Sequence, residues 1–303
     1  MGHFAQALTF IDRVSSACNL AHKVNERGRG MVKRFELGSV EVRAYCDGLL
    51  KTSIDYAIGI ERAAAEAMVG GTDQGALFIP VNNFLFRMGD ALVMVDAGAG
   101  KIMQPTLGAL PDELQRDGFS ADDITHIVIT HIHSDHTNGL LDEEGGARYK
   151  NAQLLIHPRE YDFWITSDEG KGNEKIERQR NRAKLNLAPY AQQLRLVKEG
   201  EELVGCTPHL APGHTPGHCC WRIGTGRDGF LAWGDLVHFS DIQIAAPDVA
   251  VTYDLDPDLA RRSRLRFLDM MAADGLAVAG AHVASPGLGY VRRKGRAYSF
   301  EQA

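Results

Sequence analysis

The segment ITHIHSDHTNGL, residues 129–140, places three histidines and an aspartate within six consecutive positions. His131 and His133 are two residues apart, so in an extended chain their side chains point to the same side. Imidazole and carboxylate groups suit zinc and its borderline neighbours, and no thiolate is required. With 12 histidines in 303 residues, chance would produce HxHxDH roughly once in a thousand such sequences, which favours a metal site.

Three further candidate ligands follow apolar runs later in the chain. His214 lies in APGHTPGH, Asp235 closes FLAWGD and His282 closes LAVAGAH. Functional loops of α/β proteins gather at the carboxyl ends of strands, so we expect these side chains to meet the histidine run. The set is too large for one tetrahedral ion, but it suits two ions that share a carboxylate and keep open positions, which indicates catalysis. The predicted ligands are His131, His133, Asp135, His136, His214, Asp235 and His282.

The other histidines are interpreted as packing or surface residues and are not assigned as ligands. His126 stands alone on the strand that precedes the histidine run. His218 is the least distinct of them, because GHTPGH offers two candidates. The remaining ones are His3, His22, His157 and His209.

Composition narrows the class of protein. The chain has 44% hydrophobic and 24% charged residues, as ordinary globular proteins do. A net charge of -6 argues against nucleic acid as a partner, and no apolar run approaches the length of a membrane span. The five cysteines include no CxxC pair, which favours thiols in a reducing compartment. We therefore expect a cytoplasmic protein that acts on a small molecule.

The order of apolar runs predicts one α/β domain over residues 32–303. Short apolar runs bounded by turn residues alternate with helical patterns, and no linker or repeat interrupts them. FELGSVEVRAYCDG is typical of a hairpin that turns at Gly38 and Ser39. The polar stretch 167–184 is interpreted as a solvated loop and helix face, with a lid as the alternative. Helices are predicted at 105–116, 158–165, 174–192 and 257–273, the last with Asp256 as N-cap, Pro257 in its first turn and Gly275 beyond its end.

Residues 1–31 are predicted to form a helical N-terminal extension. Apolar residues recur there at roughly helical spacing until NERGRG ends the pattern, and no apolar core of an export signal is present. A surface helix or a contact in a homodimer would explain the pattern. The alternative is that Met31 is the natural start.

The chain carries HxHxDH, then a distant Gly-His, a later Gly-Asp and a final histidine after a strand. This order of motifs resembles that of the metallo-β-lactamase-fold hydrolases. The resemblance covers roughly residues 35–300 and implies a four-layer αββα sandwich with the site at one edge. It also implies two ligand groups that share Asp235. The first group is His131, His133 and His214, and the second is Asp135, His136 and His282.

Several segments are similar to the methyl parathion hydrolase and lactonase-like branch of that superfamily. They include THIHSDHTNGL, EYDFW, GHTPGH and AHVASPGLGYVRRKGRAYSF. VMVDAGAG resembles the early Asp-Gly turn of the family, which implies that Asp96 lies behind the ligands. WGDLVH carries His238 three residues after Asp235, as a residue behind the ligands or in the pocket wall.

The resemblance implies hydrolysis of an ester-like bond by a hydroxide that bridges two divalent ions, with zinc favoured and iron, manganese or cobalt left open. A lactone, such as an acyl-homoserine lactone, and a phosphotriester or aryl ester are the expected substrates. Asp135 and Asp235 are the predicted catalytic residues, with Asp135 orienting the nucleophile or taking a proton. The alternative is a persulfide dioxygenase-like enzyme with a single iron. Candidate pocket walls are Phe84, Phe119, Phe163 and Trp164.

Overall fold

The computed structural model describes residues 33–226 and 228–303, so the predicted extension over 1–31 lies outside the described residues. The predicted hairpin is confirmed, since two paired strands flank Gly38 and Ser39. In chain order the described strands are β1 (Lys33–Leu37), β2 (Val40–Ser53), β3 (Ala57–Ile58), β4 (Ala76–Met88), β5 (Ala91–Val95), β6 (His126–Val128), β7 (Gln153–Ile156), β8 (Leu194–Leu196), β9 (Cys206–Leu210), β10 (Cys219–Ile223), β11 (Phe230–Ala232), β12 (Ala250–Val251), β13 (Ala277–Ala279), β14 (Leu288–Lys294) and β15 (Ala297–Gln302).

These strands form two large sheets and one small pair. The first sheet has the order β1-β2-β4-β5-β6-β7-β8, and the second has the order β15-β14-β13-β11-β10-β9. The strands β5 to β8 run parallel to one another, as do β11 and β13. The small pair joins β12 to β3.

The two large sheets pack face to face, and helices cover their outer faces. Strand β10 shows the alternation, because Cys219 and Trp221 enter the core between the sheets while Cys220 faces the opposite side. This arrangement is the four-layer αββα sandwich that the resemblance implied. The described helices are α1 (Arg62–Met68), α2 (Leu110–Arg116), α3 (Ser134–Thr137), α4 (Pro158–Tyr161), α5 (Glu174–Leu187), α6 (Ser240–Gln243) and α7 (Pro257–Asp274). None of them is both long and apolar enough to cross a membrane.

Helix α7 confirms the prediction for 257–273 together with its capping residues. The Asp256 carboxylate accepts a hydrogen bond from the backbone N–H of Leu259 at 2.9 Å, and Gly275 ends the helix in the left-handed conformation. Phe267 and Met271 are buried against the outer face of the second sheet.

The predicted helix over 105–116 begins only at Leu110, because a buried carboxylate holds the preceding loop. Asp47 accepts hydrogen bonds from the backbone N–H groups of Ala99, Gly108 and Leu110 at 2.9–3.1 Å. Gly108 has a φ of 90°, which no helical residue adopts. The loop therefore follows a non-helical path up to α2. The predictions over 158–165 and 174–192 correspond to α4 with the π-turn Asp162–Thr166 and to α5 with the 3₁₀ turn Ala188–Tyr190.

The strand topology brings four chain segments to one edge of the sandwich. Asp96 follows β5 directly, and His131, Asp235 and His282 each stand three residues after the end of a strand. Because β5 and β6 are parallel within the first sheet and β11 and β13 within the second, their carboxyl ends open at the same edge. This edge carries the candidate site.

Candidate metal centre

The structure brings all seven predicted ligands into two adjoining groups. The first contains His131, His133, His214 and Asp235, whose ligand atoms all lie within 4.8 Å of one another. The ring nitrogen His133 Nδ1 lies 3.0 Å from His131 Nε2 and 2.8 Å from His214 Nε2. Three imidazoles therefore aim one nitrogen each at a common point.

The second group contains Asp135, His136, Asp235 and His282, again within 4.8 Å of one another. Asp235 belongs to both groups through different oxygens. Its Oδ2 lies 3.2 Å from His214 Nε2, whereas its Oδ1 lies 3.0 Å from His136 Nε2 and 3.1 Å from His282 Nε2. One buried carboxylate is thus divided between the two groups, as a bridging ligand would be.

Three of the imidazoles, those of His136, His214 and His282, are each held on the far side by a second hydrogen-bonding group. His136 Nδ1 lies 2.8 Å from Asp96 Oδ2, and His282 Nδ1 donates to the carbonyl oxygen of Pro80 at 2.8 Å. His214 Nδ1 lies 3.1 Å from Asp254 Oδ1. Such partners fix which nitrogen carries the proton and leave Nε2 free to face the centre. Asp96 therefore lies behind the ligands, where the sequence prediction put it.

Unpaired polar atoms in the second group fit a bound divalent cation. His136 Nε2, His282 Nε2 and Asp235 Oδ1 are buried and have no hydrogen-bond partner among the described residues. Buried polar atoms are almost always paired, so unpaired nitrogens and oxygens that converge on one point call for a bound cation. The donors are imidazoles and carboxylates without thiolate, which is a zinc-type set.

The turn that carries Asp235 depends on a glycine and on His218. Gly234 has a φ of 54°, and a Cβ atom there would lie 2.7 Å from His218 Nε2 and 2.8 Å from Thr130. His218 Nε2 accepts a hydrogen bond from the backbone N–H of Asp235 at 3.0 Å, and His218 Nδ1 donates to the carbonyl oxygen of Ala211. His218 is therefore not among the grouped ligands, but it positions the shared carboxylate.

Glu160 and Asp254 were not predicted from the sequence, yet both support the ligands. Glu160 is fully buried and joins the loop of Ile132 to the loop of Thr215, the neighbours of three ligand histidines. The segment EYDFW places Glu160 and Asp162 among three aromatic residues, and nothing in it distinguishes the two carboxylates. Asp254 stands in DLDPD among similar residues, so no pattern distinguished it.

His238 lies beside the shared carboxylate and on the wall of the cavity. Its Nε2 is 2.9 Å from Asp235 Oδ2, and its ring stacks on His282 with centroids 5.6 Å apart. Burial lowers the pKa of His238, while the neighbouring Asp235 carboxylate opposes that change. A neutral imidazole thus lines the space above the two groups.

A cavity of about 600 Å³ opens above both groups. Its wall includes the apolar side chains of Leu50, Ile79 and Met103. Trp164, one of the four aromatic residues proposed from the sequence, also lines it. The ring of Trp164 lies 5.6 Å from that of His133, and its Nε1 donates to Glu160 at 2.8 Å.

The other three aromatic candidates are wrong as pocket walls. Phe84 is buried between the two sheets, because alternation along β4 turns it into the core. Phe119 lies under the Arg43 guanidinium and lines a different cavity beside α2. Phe163 packs against Trp164 with ring centroids 4.7 Å apart and does not line the cavity.

Besides His218, three of the histidines set aside lie outside both ligand groups. His126 is half-buried next to Thr125, and His157 caps α4 by accepting from the N–H of Arg159. His209 lies on β9 near Glu199. His3 and His22 lie outside the described residues.

Zinc binding is expected to release protons at pH 7 and to tighten as the pH rises to about 9. Burial alone would lower the pKa of His214, but contacts with Asp235 and Asp254 raise it to about 9. A raised pKa means that metal-free His214 is protonated at pH 7, and the ion must displace that proton. Apparent affinity should therefore rise about tenfold per pH unit for each displaced proton.

Competition with a chelating dye at pH 7, 8 and 9 measures this dependence. Calorimetry in two buffers of different ionisation enthalpy counts the released protons. An affinity that does not change over this range would contradict a protonated His214.

Comparison of the sequence with known proteins finds N-acyl homoserine lactonases. The lactonase AiiB of Agrobacterium fabrum is 31% identical over 101 residues, which cover 27% of this chain and 34% of AiiB. The lactonase of Bacillus thuringiensis is 26% identical over 116 residues, 38% of this chain and 39% of that protein. The matched segments thus span between a third and two fifths of these relatives.

Solved structures match over a longer stretch. AbOPH, described as a hydrolase of the beta lactamase superfamily, shares 25% identity and a TM-score of 0.84 over 90% of this chain and 97% of its own. AidC, described as a dizinc quorum-quenching lactonase in complex with a hexanoyl-homoserine product, shares 27% identity and a TM-score of 0.83 with the same coverage.

A family model described as the metallo-beta-lactamase superfamily matches residues 77–282. This range contains all seven residues of the two groups and most of both sheets. The chain therefore belongs to the metallo-β-lactamase superfamily, and the predicted fold class is confirmed.

Proposed function

We propose that this protein hydrolyses a lactone or a related ester with the help of two divalent metal ions. The proposal rests on the Asp235 carboxylate, which directs one oxygen to each of two complete ligand groups at the base of one cavity. Structurally similar AidC is described as a dizinc lactonase, which supports both the reaction and the metal.

His131, His133 and His214 would hold one ion together with Asp235 Oδ2. Asp135, His136 and His282 would hold the other together with Asp235 Oδ1. When bound, such a pair supplies Lewis acidity and a nucleophilic hydroxide at neutral pH. Zinc is the proposed metal.

The residues of the chain would then orient the reactants. The nearby histidines outweigh burial and lower the pKa of Asp135, so its carboxylate stays ionised at neutral pH and can orient the nucleophile by accepting a hydrogen bond. His238 presents a neutral ring to the cavity, where it can donate a hydrogen bond to a substrate oxygen. Trp164 and Leu50 would exclude water from one side of the ester.

The purified protein is expected to hold two zinc ions per chain and to hydrolyse at least one member of a substrate panel. The panel contains N-hexanoyl-homoserine lactone, 4-nitrophenyl acetate and a dialkyl aryl phosphotriester. Because the ions supply the nucleophile, chelation should abolish turnover and added zinc should restore it.

Two outcomes would contradict the proposal. One is a protein with two zinc ions that hydrolyses no member of the panel. The other is a single iron per chain together with oxygen consumption on a persulfide, as the dioxygenase alternative predicts. The complete second group, with Asp135, His136 and His282, supports the binuclear hydrolase instead.

We further propose a cytoplasmic homodimer that acts on small molecules and does not bind nucleic acid. The net charge of -6 supports the last point. Light scattering coupled to size exclusion chromatography measures the oligomeric state.

A further inference from the structure

Three cationic side chains line the cavity above the candidate metal centre. Lys51 comes from β2, while Lys175 and Arg178 stand three residues apart on α5. Residues at this spacing occupy the same face of a helix. The cavity therefore has a positively charged wall in addition to its apolar one.

These cations have no acidic partner at ion-pair distance in the described part of the chain. Within residues 33–226 and 228–303, none of the three forms an ion pair. The only acidic residues that line the cavity are Asp135 and Asp235, which belong to the ligand groups. Since the whole chain carries a net charge of -6, this local excess of positive charge does not follow from composition.

The helix face that carries two of the cations is anchored to the ligand segment. Gln179 donates to the carbonyl oxygen of Ile132 at 2.7 Å and accepts from the Ser134 hydroxyl at 3.1 Å. Ile132 and Ser134 flank His133, so these two hydrogen bonds fix the position of α5 relative to the first ligand group. Lys175 and Arg178 lie within four residues of Gln179 on the same helix, so their backbone positions are fixed relative to this group as well.

The positive wall continues out of the cavity along α5. A second cavity of about 490 Å³ shares Lys175, Arg178 and Gln179 with the first and extends to Arg182 and Leu185. None of the acidic residues that the structure describes lines this extension. A ligand that extends from the metal centre along α5 would contact these cations and the apolar side chains between them.

We propose that the substrate is a lactone with a carboxylate at the end remote from the scissile bond. This inference rests on the proposed hydrolase function, and it adds that the substrate carries a negative charge. The apolar side chains of Leu50, Ile79 and Met103 contact the middle of the substrate, and Lys175 and Arg178 bind its carboxylate. Charge-assisted hydrogen bonds from Lys and Arg to carboxylates are stronger than neutral ones.

The test compares N-adipoyl-homoserine lactone with N-hexanoyl-homoserine lactone, whose acyl chains have the same number of carbons. The variant is Lys175→Met with Arg178→Met, because methionine preserves helix propensity and side-chain length. We expect its kcat/KM for the adipoyl lactone to fall about tenfold, or ~1.4 kcal/mol. The value for the hexanoyl lactone should stay within about twofold, because that chain has no charge to bind.

Added salt provides an independent measurement. The wild-type kcat/KM for the adipoyl lactone should fall with ionic strength, and that of the double variant should change less, because exposed charges are screened. Calorimetry with the two ring-opened products should show the same difference in binding. The matched control is Lys150→Met with Lys184→Met, which removes the same charge outside the cavity.

Equal losses for both lactones, or an equal loss in the control variant, would overturn the inference and leave the hydrolase function intact. So would a wild-type enzyme that cleaves the hexanoyl lactone but prefers it to the adipoyl one. Absence of turnover of either lactone by protein with two zinc ions would overturn the lactone proposal itself, and this inference with it.

Discussion

Asp235→Asn is expected to lower kcat/KM for ester hydrolysis by about a thousandfold and to reduce the metal content below two ions per chain. An amide keeps the shape of the carboxylate but offers one oxygen and one nitrogen that carries protons. It can serve one ligand group at most. The nitrogen would then face either the His214 side or the side of His136 and His282, and it would repel a cation there.

The substitution also removes a negative charge, which should weaken metal binding in addition to the loss of one oxygen ligand. Burial opposes ionisation of Asp235, but four neighbouring histidines hold its pKa well below the ordinary value. The carboxylate is therefore an anion among imidazoles, and its removal takes away the negative charge nearest both candidate ions. Metal analysis after dialysis, together with kinetics at saturating zinc, separates weakened binding from impaired chemistry.

Asp241→Asn is the matched control, because Asp241 is an exposed aspartate on the short helix α6. It should retain two ions and wild-type kinetics. A retained metal content and rate in Asp235→Asn would show that the carboxylate does not bridge two ions.

Glu160→Gln is expected to destabilise the metal-free protein by about 3 kcal/mol, because it disrupts a buried carboxylate with four donors. Glu160 Oε1 accepts from Ile132 N and Trp164 Nε1, both at 2.8 Å. Its Oε2 accepts from Thr215 Oγ1 at 2.6 Å and from Gly217 N at 3.1 Å. Wherever the glutamine amino group turns, at least one buried N–H loses its acceptor.

The same change should weaken zinc binding by about 10- to 100-fold, as substitutions behind metal ligands commonly do. Ile132 lies between His131 and His133, and Thr215 follows His214, so Glu160 ties together the segments of the first ligand group. Urea unfolding of the metal-free protein measures the first effect, and competition with a chelator measures the second.

Glu144→Gln is the control for this substitution, since Glu144 is exposed and contributes no side-chain hydrogen bond within the described residues. It should change neither the unfolding midpoint nor the zinc affinity. An unfolding midpoint in Glu160→Gln that equals that of the control would mean that the four hydrogen bonds contribute no net stability.

The candidate ligands could be predicted from the sequence because they combine an unusual local spacing with a repeated context. HxHxDH places four side chains in the loop that follows β6 and in the short helix α3 after it, so local geometry alone brings them close. Asp235 and His282 each follow a short apolar strand, and the carboxyl ends of such strands share an edge. That these residues bind metal stays a prediction.

The aromatic candidates show where sequence reasoning failed. Phe84 and Trp164 lie in the apolar runs FLF and FWI, and composition does not distinguish a cavity wall from a core position. Alternation along β4 buries Phe84 between the sheets, whereas the π-turn after α4 directs Trp164 towards His133. That difference depends on which face of each element meets another layer.

The sequence by itself determined the residue types of the centre, their order along the chain and the strands that carry them, because spacing and apolar periodicity are local properties. Only the tertiary structure decided that one carboxylate, Asp235, is divided between two groups. It alone showed that Glu160 joins the histidine loops and that Lys175 and Arg178 face the cavity. These relations join residues tens to more than a hundred positions apart, and packing of the two sheets and α5 creates them.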